Sequence, residues 1–257
     1  MSDTLAREKA LVLLHSLGTD SNIWNGVRRY LSASHQVVTP DAKGHGGYLE
    51  SGIDEDVWVA DLDRLIDSLG EVDIHLVGLS MGGVQALAYA SRYAHKIASM
   101  TLANTFAYLE PEVSRARLEG IGGRVESLGM TGYADAYVNE TVKVGVDSAE
   151  ADQMRASIAS IPADIYLESV RATFLVDLRE ALGRIDVPTL VIHAEYDDKT
   201  PRYLSDYICE NVAGARMVSI EQAGHLSAFD APAQFASEVD AFIEAVQSKN
   251  QGVEVRV

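Results

Sequence analysis

The sequence predicts an α/β fold: a mainly parallel β-sheet flanked by helices, with a helical segment inserted late in the sheet. Three observations carry this. Short runs rich in Val, Ile and Leu recur along the 257 residues, as strands buried on both faces do. Stretches with helical apolar spacing separate them. The alternation then stops between about Thr105 and Arg184, where only helical periodicities remain.

Taken in order, the first strand-like run is Leu11 to Leu14, which ends in the tight loop His15-Ser16-Leu17-Gly18. Gln36 to Thr39 is the second. Val57 to Leu69 reads as a helix because Leu62, Leu65, Ile66 and Leu69 fall on one face. The third run, Ile74 to Val77, feeds directly into Gly78-Leu79-Ser80-Met81-Gly82, and helical spacing resumes over Val84 to Tyr93. A serine on such a strand-to-helix turn has its hydroxyl lifted clear of the sheet, the arrangement of a nucleophile elbow. Ser99 to Leu102 is the fourth run.

The inserted segment contains helical patterns over Val113 to Val125, Tyr133 to Val142 and Ala149 to Ser160. It is rich in aromatic residues (Phe106, Tyr108, Tyr133, Tyr137, Tyr166, Phe174) and in arginine. Placed after a central strand, it is expected to cover the C-terminal edge of the sheet, where open α/β folds build their sites. Residues 1–105 and 185–257 are expected to form the core and 106–184 the lid. Thr189 to Ile192 and Met217 to Ile220 complete the strands, and a helix opens around Pro232. In the tail, Val253, Val255 and Val257 alternate as a strand would.

Composition narrows the function classes. A formal net charge of −17 and a pI near 4.7 repel nucleic-acid phosphates and anionic lipid surfaces, so neither partner is expected. The single cysteine, Cys209, cannot form an internal disulfide. The apolar stretch Ala10 to Leu14 is too short for a signal-peptide core, and no stretch approaches the roughly 18 apolar residues of a membrane span. A cytoplasmic protein follows as the expectation, with a homodimer left open.

A serine nucleophile needs a base, an acid to orient that base, and donors for an oxyanion. His225, in Ala223-Gly224-His225-Leu226 after the last strand-like run, is the candidate base. Asp197 and Asp198, past the strand ending at Ile192, are both candidate acids; two adjacent carboxylates cannot both face one histidine. The backbone N–H of Met81, at the helix start, and that of Leu17 are the candidate oxyanion donors. Such chemistry requires no metal and no organic cofactor.

Together, His15-Ser16-Leu17-Gly18-Thr19-Asp20, Asp41-x-Lys43-Gly44-His45-Gly46, Gly78-Leu79-Ser80-Met81-Gly82-Gly83, Asp197-x-x-Thr200-Pro201 and Gly224-His225 resemble the α/β-hydrolase superfamily over nearly the whole chain. The resemblance implies the α/β-hydrolase fold, a helical cap inserted after that fold's sixth strand, and Asp197 as the acid, three residues before the Thr. The Ser-Leu-Gly-Thr loop followed by Trp24, the Gly-Leu-Ser-Met-Gly-Gly elbow and Ala103-Asn104-Thr105 resemble 3-oxoadipate enol-lactonases, which open a small anionic lactone in aromatic catabolism. That implies an ester or lactone substrate contacted by His15, Trp24, Phe106 and Tyr137, with Arg115, Arg117 or Arg124 as possible cations for an acid group; the overall negative charge argues mildly for a neutral substrate. A general carboxylesterase, a perhydrolase, or a small-molecule receptor with little turnover shares the same motifs.

Departures from the family pattern are also plain. The ten residues before Leu11 are too few for the usual N-terminal hairpin, so that hairpin is expected to be missing, with the Val253–Val257 tail as a conceivable replacement edge. Lys43 stands where Arg is common, Tyr48 where Ser is, Ala194 where Gly is, and His193 where a small residue is usual.

Overall fold

The computed structural model describes residues 8–31, 33 and 35–253. Strands β1 (Lys9–Leu14), β2 (His35–Val38), β3 (Asp73–Leu79), β4 (Ser99–Ala103), β5 (Thr189–Ala194) and β6 (Arg216–Ile220) form one six-stranded sheet in the order β2-β1-β3-β4-β5-β6. Every pairing in it is parallel. Each apolar run of the sequence falls in one of these strands; only the second is displaced, by one residue.

The strands are apolar throughout because helices cover both faces. On β1, Ala10, Val12 and Leu14 pack with residues of α2 (Glu55–Ser68) and α3 (Met81–Tyr93), α1 (Asn25–Arg28) lying on the opposite side. Leu11 and Leu13 point the other way, into a second core with Val27 of α1 and Phe235, Val239 and Phe242 near the C-terminus. This is the two-residue alternation of a strand buried on both sides. Asp54 starts α2 by accepting a hydrogen bond from the Val57 N–H at 2.8 Å.

Between β4 and β5 stand α4 (Pro111–Thr141), α5 (Ala149–Ser160), α6 (Ala163–Phe174) and α7 (Arg179–Leu182). The two helical patterns expected at 113–125 and 133–142 are joined in α4, which breaks at Gly129 (φ 64°, ψ 171°). The two ends of this segment are pinned together: Tyr108 and Asp177 form an antiparallel bridge, and the Leu178 N–H donates to the Ala107 carbonyl at 2.9 Å. An excursion of some seventy residues is thus closed at its base like a long loop.

After β5 come α8 (Arg202–Asn211), β6, the short α9 (Ser227–Asp230) and α10 (Pro232–Val253). Helix α10 continues to Val253, so the strand expected to begin there does not; Val255 and Val257 lie outside the described residues. Among the described residues no hairpin precedes β1, and β2 is an edge of the sheet. No helix among them is long and apolar enough to cross a membrane.

Candidate functional site

Strand β3 turns sharply into α3 at Ser80, whose backbone (φ 55°, ψ −112°) lies in a region that side-chain-bearing residues rarely adopt. The glycines around it are there for space. A Cβ on Gly82 would stand 2.1 Å from the Leu14 carbonyl oxygen, and one on Gly78 would stand 2.3 Å from that of Gly82. The turn is therefore wedged against the end of β1 and can be built only without those side chains. The Ser80 N–H donates to the Ala103 carbonyl of β4 at 2.8 Å.

His225 reaches this serine from the loop after β6: its Nε2 is 2.9 Å from Ser80 Oγ. Its Nδ1 lies 3.1 and 3.2 Å from the two carboxylate oxygens of Asp197, from the loop after β5. The Lys199 and Thr200 N–H groups each donate to Asp197 Oδ1 at 2.9 Å, while the Thr200 hydroxyl and Asn104 Nδ2, the latter at 2.7 Å, donate to Oδ2. Burial opposes the charge on this carboxylate. The neighbouring His225 and the hydrogen bonds from His225 and Thr200 outweigh it and hold the carboxyl well below its ordinary range. Asp198, by contrast, is exposed at the cavity rim.

The array opens into a cavity of about 310 Å³ lined by Leu17, Ser80 and His225 from the core and by Phe106, Tyr137 and Arg117, among others, from the inserted segment. This is the size range of small-ligand sites. Tyr133 and Tyr166, whose hydroxyls are 2.9 Å apart, add to an aromatic wall, and Phe106 stacks on Phe174 with ring centres 5.9 Å apart. Leu17 lies in the turn after β1, on the cavity, and Met81 is the first residue of α3, so its N–H has no acceptor within the helix.

The two arginines on this cavity differ. Arg124 is paired with Glu140 through two hydrogen bonds, at 2.9 and 2.7 Å. Arg117 lies half-buried over the Phe174 ring, 5.3 Å from its centre, and donates to the Lys199 carbonyl. Among the described residues no carboxylate lies within ion-pair distance of it. Burial pulls its pKa down, yet a guanidinium stays charged. Arg115 is exposed and is not among the cavity-lining residues.

Two of the four expected substrate contacts lie elsewhere. His15 is buried and uses both ring nitrogens on backbone: Nδ1 donates to the Ser16 carbonyl at 2.9 Å, and Nε2 accepts from the Ala42 N–H at 3.0 Å. These bonds demand the neutral ring, and burial lowers its pKa accordingly. Its ring borders a different hollow, with Asp41, Tyr48 and Gln85. Trp24 is wholly buried against Phe235, ring centres 5.7 Å apart. His193 faces a separate open crevice with Glu195 and Arg202. The Asp41–Gly46 motif ties its loop to the segment after β1: Asp41 accepts from the Ser21 N–H at 2.8 Å and, within the loop, from the Gly47 N–H at 3.0 Å.

Two features of the site were not assigned by sequence reasoning. Asn104 and Thr105 belong to the motif resemblance, yet both donate to residues of the array, and nothing in their spacing foretells it. Tyr133 and Tyr166 were visible as part of the aromatic richness of the insertion, without a position.

Comparison with known proteins agrees with this architecture. The model of the Alpha/beta hydrolase family matches residues 11–238. The chain is 28% identical to 3-oxoadipate enol-lactonase 1 of Acinetobacter baylyi, over 93% of this chain and 90% of that protein. It is also 28% identical to a pimeloyl-[acyl-carrier protein] methyl ester esterase of Aromatoleum aromaticum, over 84% of this chain and 90% of the other. The crystal structure of the enol-lactonase from Burkholderia xenovorans LB400 superposes with a TM-score of 0.82 at 28% identity, covering 95% of this chain and 94% of that one. With its parallel sheet, its strand-to-helix turn at Ser80 and a family match spanning most of its length, this chain belongs to the alpha/beta hydrolase family.

Proposed function

We propose that this protein hydrolyses a small carboxylic ester or lactone through an acyl-enzyme on Ser80. The observation that carries the reading is the 2.9 Å contact of Ser80 Oγ with His225 Nε2 at the floor of the cavity, continued to Asp197. In this reading His225, oriented by the ionised Asp197, takes the Ser80 proton as Oγ attacks the substrate carbonyl carbon. The carbonyl oxygen becomes an oxyanion held by the N–H groups of Leu17 and Met81, which supply a few kcal/mol of transition-state stabilisation, about 3 for one donor. Collapse of the tetrahedral adduct breaks the bond to the leaving alkoxide or enolate, which takes the proton from His225. Water, deprotonated by the same histidine, then attacks the acyl carbon and frees Ser80. In a lactone the leaving oxygen stays tethered to the acyl group, so ring opening yields one product.

Residues 106–184 act as a cap in this reading, closing the cavity from water. Arg117, which has no carboxylate within ion-pair distance among the described residues, supports a substrate that carries an acid group, as an enol-lactone like 3-oxoadipate enol-lactone does; that substrate would place the enzyme in aromatic catabolism. The global charge of −17 acts weakly here, because salt screens distant charges within about 10 Å, whereas Arg117 would contact the substrate directly. The aromatic wall favours, as a second reading, a carboxylesterase acting on neutral apolar esters.

The test is turnover of p-nitrophenyl acetate and of a panel of small lactones by the wild type beside Ser80→Ala. Serine-dependent hydrolysis is expected. Unchanged turnover by Ser80→Ala would remove the serine mechanism, and a wild type inert towards the whole panel would leave a ligand-binding role.

A further inference from the structure

The residues that follow β4 hold both ends of the Ser80–His225–Asp197 array. The Ala103 carbonyl accepts from the Ser80 N–H at 2.8 Å, and the Thr105 hydroxyl donates to the Ser80 carbonyl at 2.7 Å. Between them, Asn104 Nδ2 donates to Asp197 Oδ2 at 2.7 Å. In a continued strand, side chains 104 and 105 would point to opposite faces of the sheet. Asn104 instead has φ 49°, a left-handed conformation that asparagine tolerates better than most residues, and both side chains reach the array. Both are buried, Asn104 completely.

The amide of Asn104 can face only one way. Asp197 is ionised and accepts only, so the NH₂ must point at it, which leaves Oδ1 facing Ser227 Oγ at 2.5 Å. Ser227 therefore donates. It stands two residues after His225, so the hydrogen bonds close a ring: Ser227 to Asn104, Asn104 to Asp197, Asp197 to His225, and back along three residues of chain. The Asn104 N–H, donated to the Ile192 carbonyl at 2.9 Å, ties the ring to β5.

We infer that Asn104, Thr105 and Ser227 are positioning residues: Asn104, oriented by Ser227, sets the rotation and charge distribution of Asp197, while Thr105 anchors the turn that presents Ser80. The inference rests on the reading of the array as catalytic. None of the three touches the reacting atoms. Asn104 and Thr200 together engage Oδ2, and the Lys199 and Thr200 N–H groups engage Oδ1. Loss of the Asn104 donor leaves more charge on Oδ2 for His225 and a carboxylate freer to rotate. His225 is then less well aligned. The other charged or titratable groups that act on this carboxylate are Arg117 and Tyr137 of the cavity wall, the adjacent Asp198 and Lys199, and His193 on the β5 side, with Arg124 further along the same cavity; none hydrogen-bonds Asn104 among the described residues.

Asn104→Gly tests this directly, because glycine accepts the left-handed backbone while the side chain, and with it the amide, is removed. With p-nitrophenyl acetate, kcat is expected to fall about 10- to 100-fold, the scale of one hydrogen bond to a charged group. KM should change little, and the acid limb of the kcat/KM profile should move to higher pH. Ser227→Ala should shift the same limb in the same direction by less. Thr105→Val should lower kcat about tenfold without moving the limb, and Thr105→Ser should restore it. Wild-type kcat and an unmoved limb in Asn104→Gly overturn the inference; if that variant does not fold, the same result in Ser227→Ala overturns it. A wild type without Ser80-dependent turnover fails the proposed function itself, a different outcome from full activity in these variants.

Discussion

Ser80 and His225 stand 145 positions apart in the chain and 2.9 Å apart in space. The contact exists because the loops after β3 and β6 leave the same edge of a parallel sheet. Asp197 joins from the loop after β5, between them in chain order. Parallel connection brings every strand's C-terminal end to that edge.

The first prediction separates the two adjacent acids. Asp197→Asn removes the carboxylate facing His225 Nδ1 and should lower kcat for p-nitrophenyl acetate by about 10³- to 10⁴-fold. His225→Gln should lose as much or more. Asp198→Asn, at the exposed rim, should stay within a few-fold of wild type. Reversed behaviour of the two aspartates would overturn the assignment.

A second contrast concerns glycines. At Gly82 an added Cβ would stand 2.1 Å from the Leu14 carbonyl oxygen, so Gly82→Ala should cost more than about 2 kcal/mol or prevent folding. Gly122, inside α4, has no heavy atom within 4 Å of the same position. Gly122→Ala should stabilise the protein by roughly 0.5–1 kcal/mol through a less flexible unfolded chain and better helix propensity. Urea unfolding midpoints of the two variants measure both effects.

Substrate charge can be read at Arg117. For an acid-bearing ester such as p-nitrophenyl hemisuccinate, Arg117→Gln should lower kcat/KM by about tenfold or more. For the neutral p-nitrophenyl butyrate the change should be under about threefold. Equal losses on both esters would mean that Arg117 acts only by tying α4 to the Lys199 carbonyl.

Stability should fall on mild acidification. His75 is buried on β3 with its Nδ1 2.7 Å from Ser99 Oγ, and burial first, then His35 and Lys9, push its pKa from 6.5 down to about 4. A histidine whose folded pKa is depressed binds its proton more readily when unfolded. Its contribution is therefore complete above pH 6.5 and is lost as the pH falls from 6.5 towards 4. The scale is at most about 3 kcal/mol, and His15, His45 and His193 are shifted in the same direction. His75→Gln should flatten the dependence of the thermal midpoint on pH over this window; an unchanged slope would exclude His75 as a main contributor.

The strands and the turn at Ser80 were legible because their causes are local. A strand buried on both faces must be apolar throughout, so Ile74 to Val77 could be read without neighbours, as could a Gly-x-Ser-x-Gly turn leading into helical spacing. Trp24 and His15 were misplaced for a complementary reason. A buried tryptophan and a substrate-contacting one have the same neighbours in sequence, and only the packing of Phe235 of α10 against Trp24 distinguishes them. His15 spends both nitrogens on backbone groups, one of them at Ala42, which no spacing rule links to it.

By itself the sequence determined the alternation of strand and helix, the inserted helical segment, and the serine, histidine and two aspartates from which the site is drawn. Hydrophobic period, turn chemistry and motif order are properties of neighbouring residues, and a single chain displays them. Tertiary structure alone decided that Arg117, among the described residues, has no carboxylate within ion-pair distance while Arg124 is paired with Glu140, and that Asn104 and Thr105 hydrogen-bond to the array; it also sets Asp197, the acid that the motif resemblance implied, against His225. Each of these depends on the direction of a side chain across strands or helices far apart in sequence. That direction is set by sheet order and by the packing of the inserted helices over the edge, which no local pattern encodes.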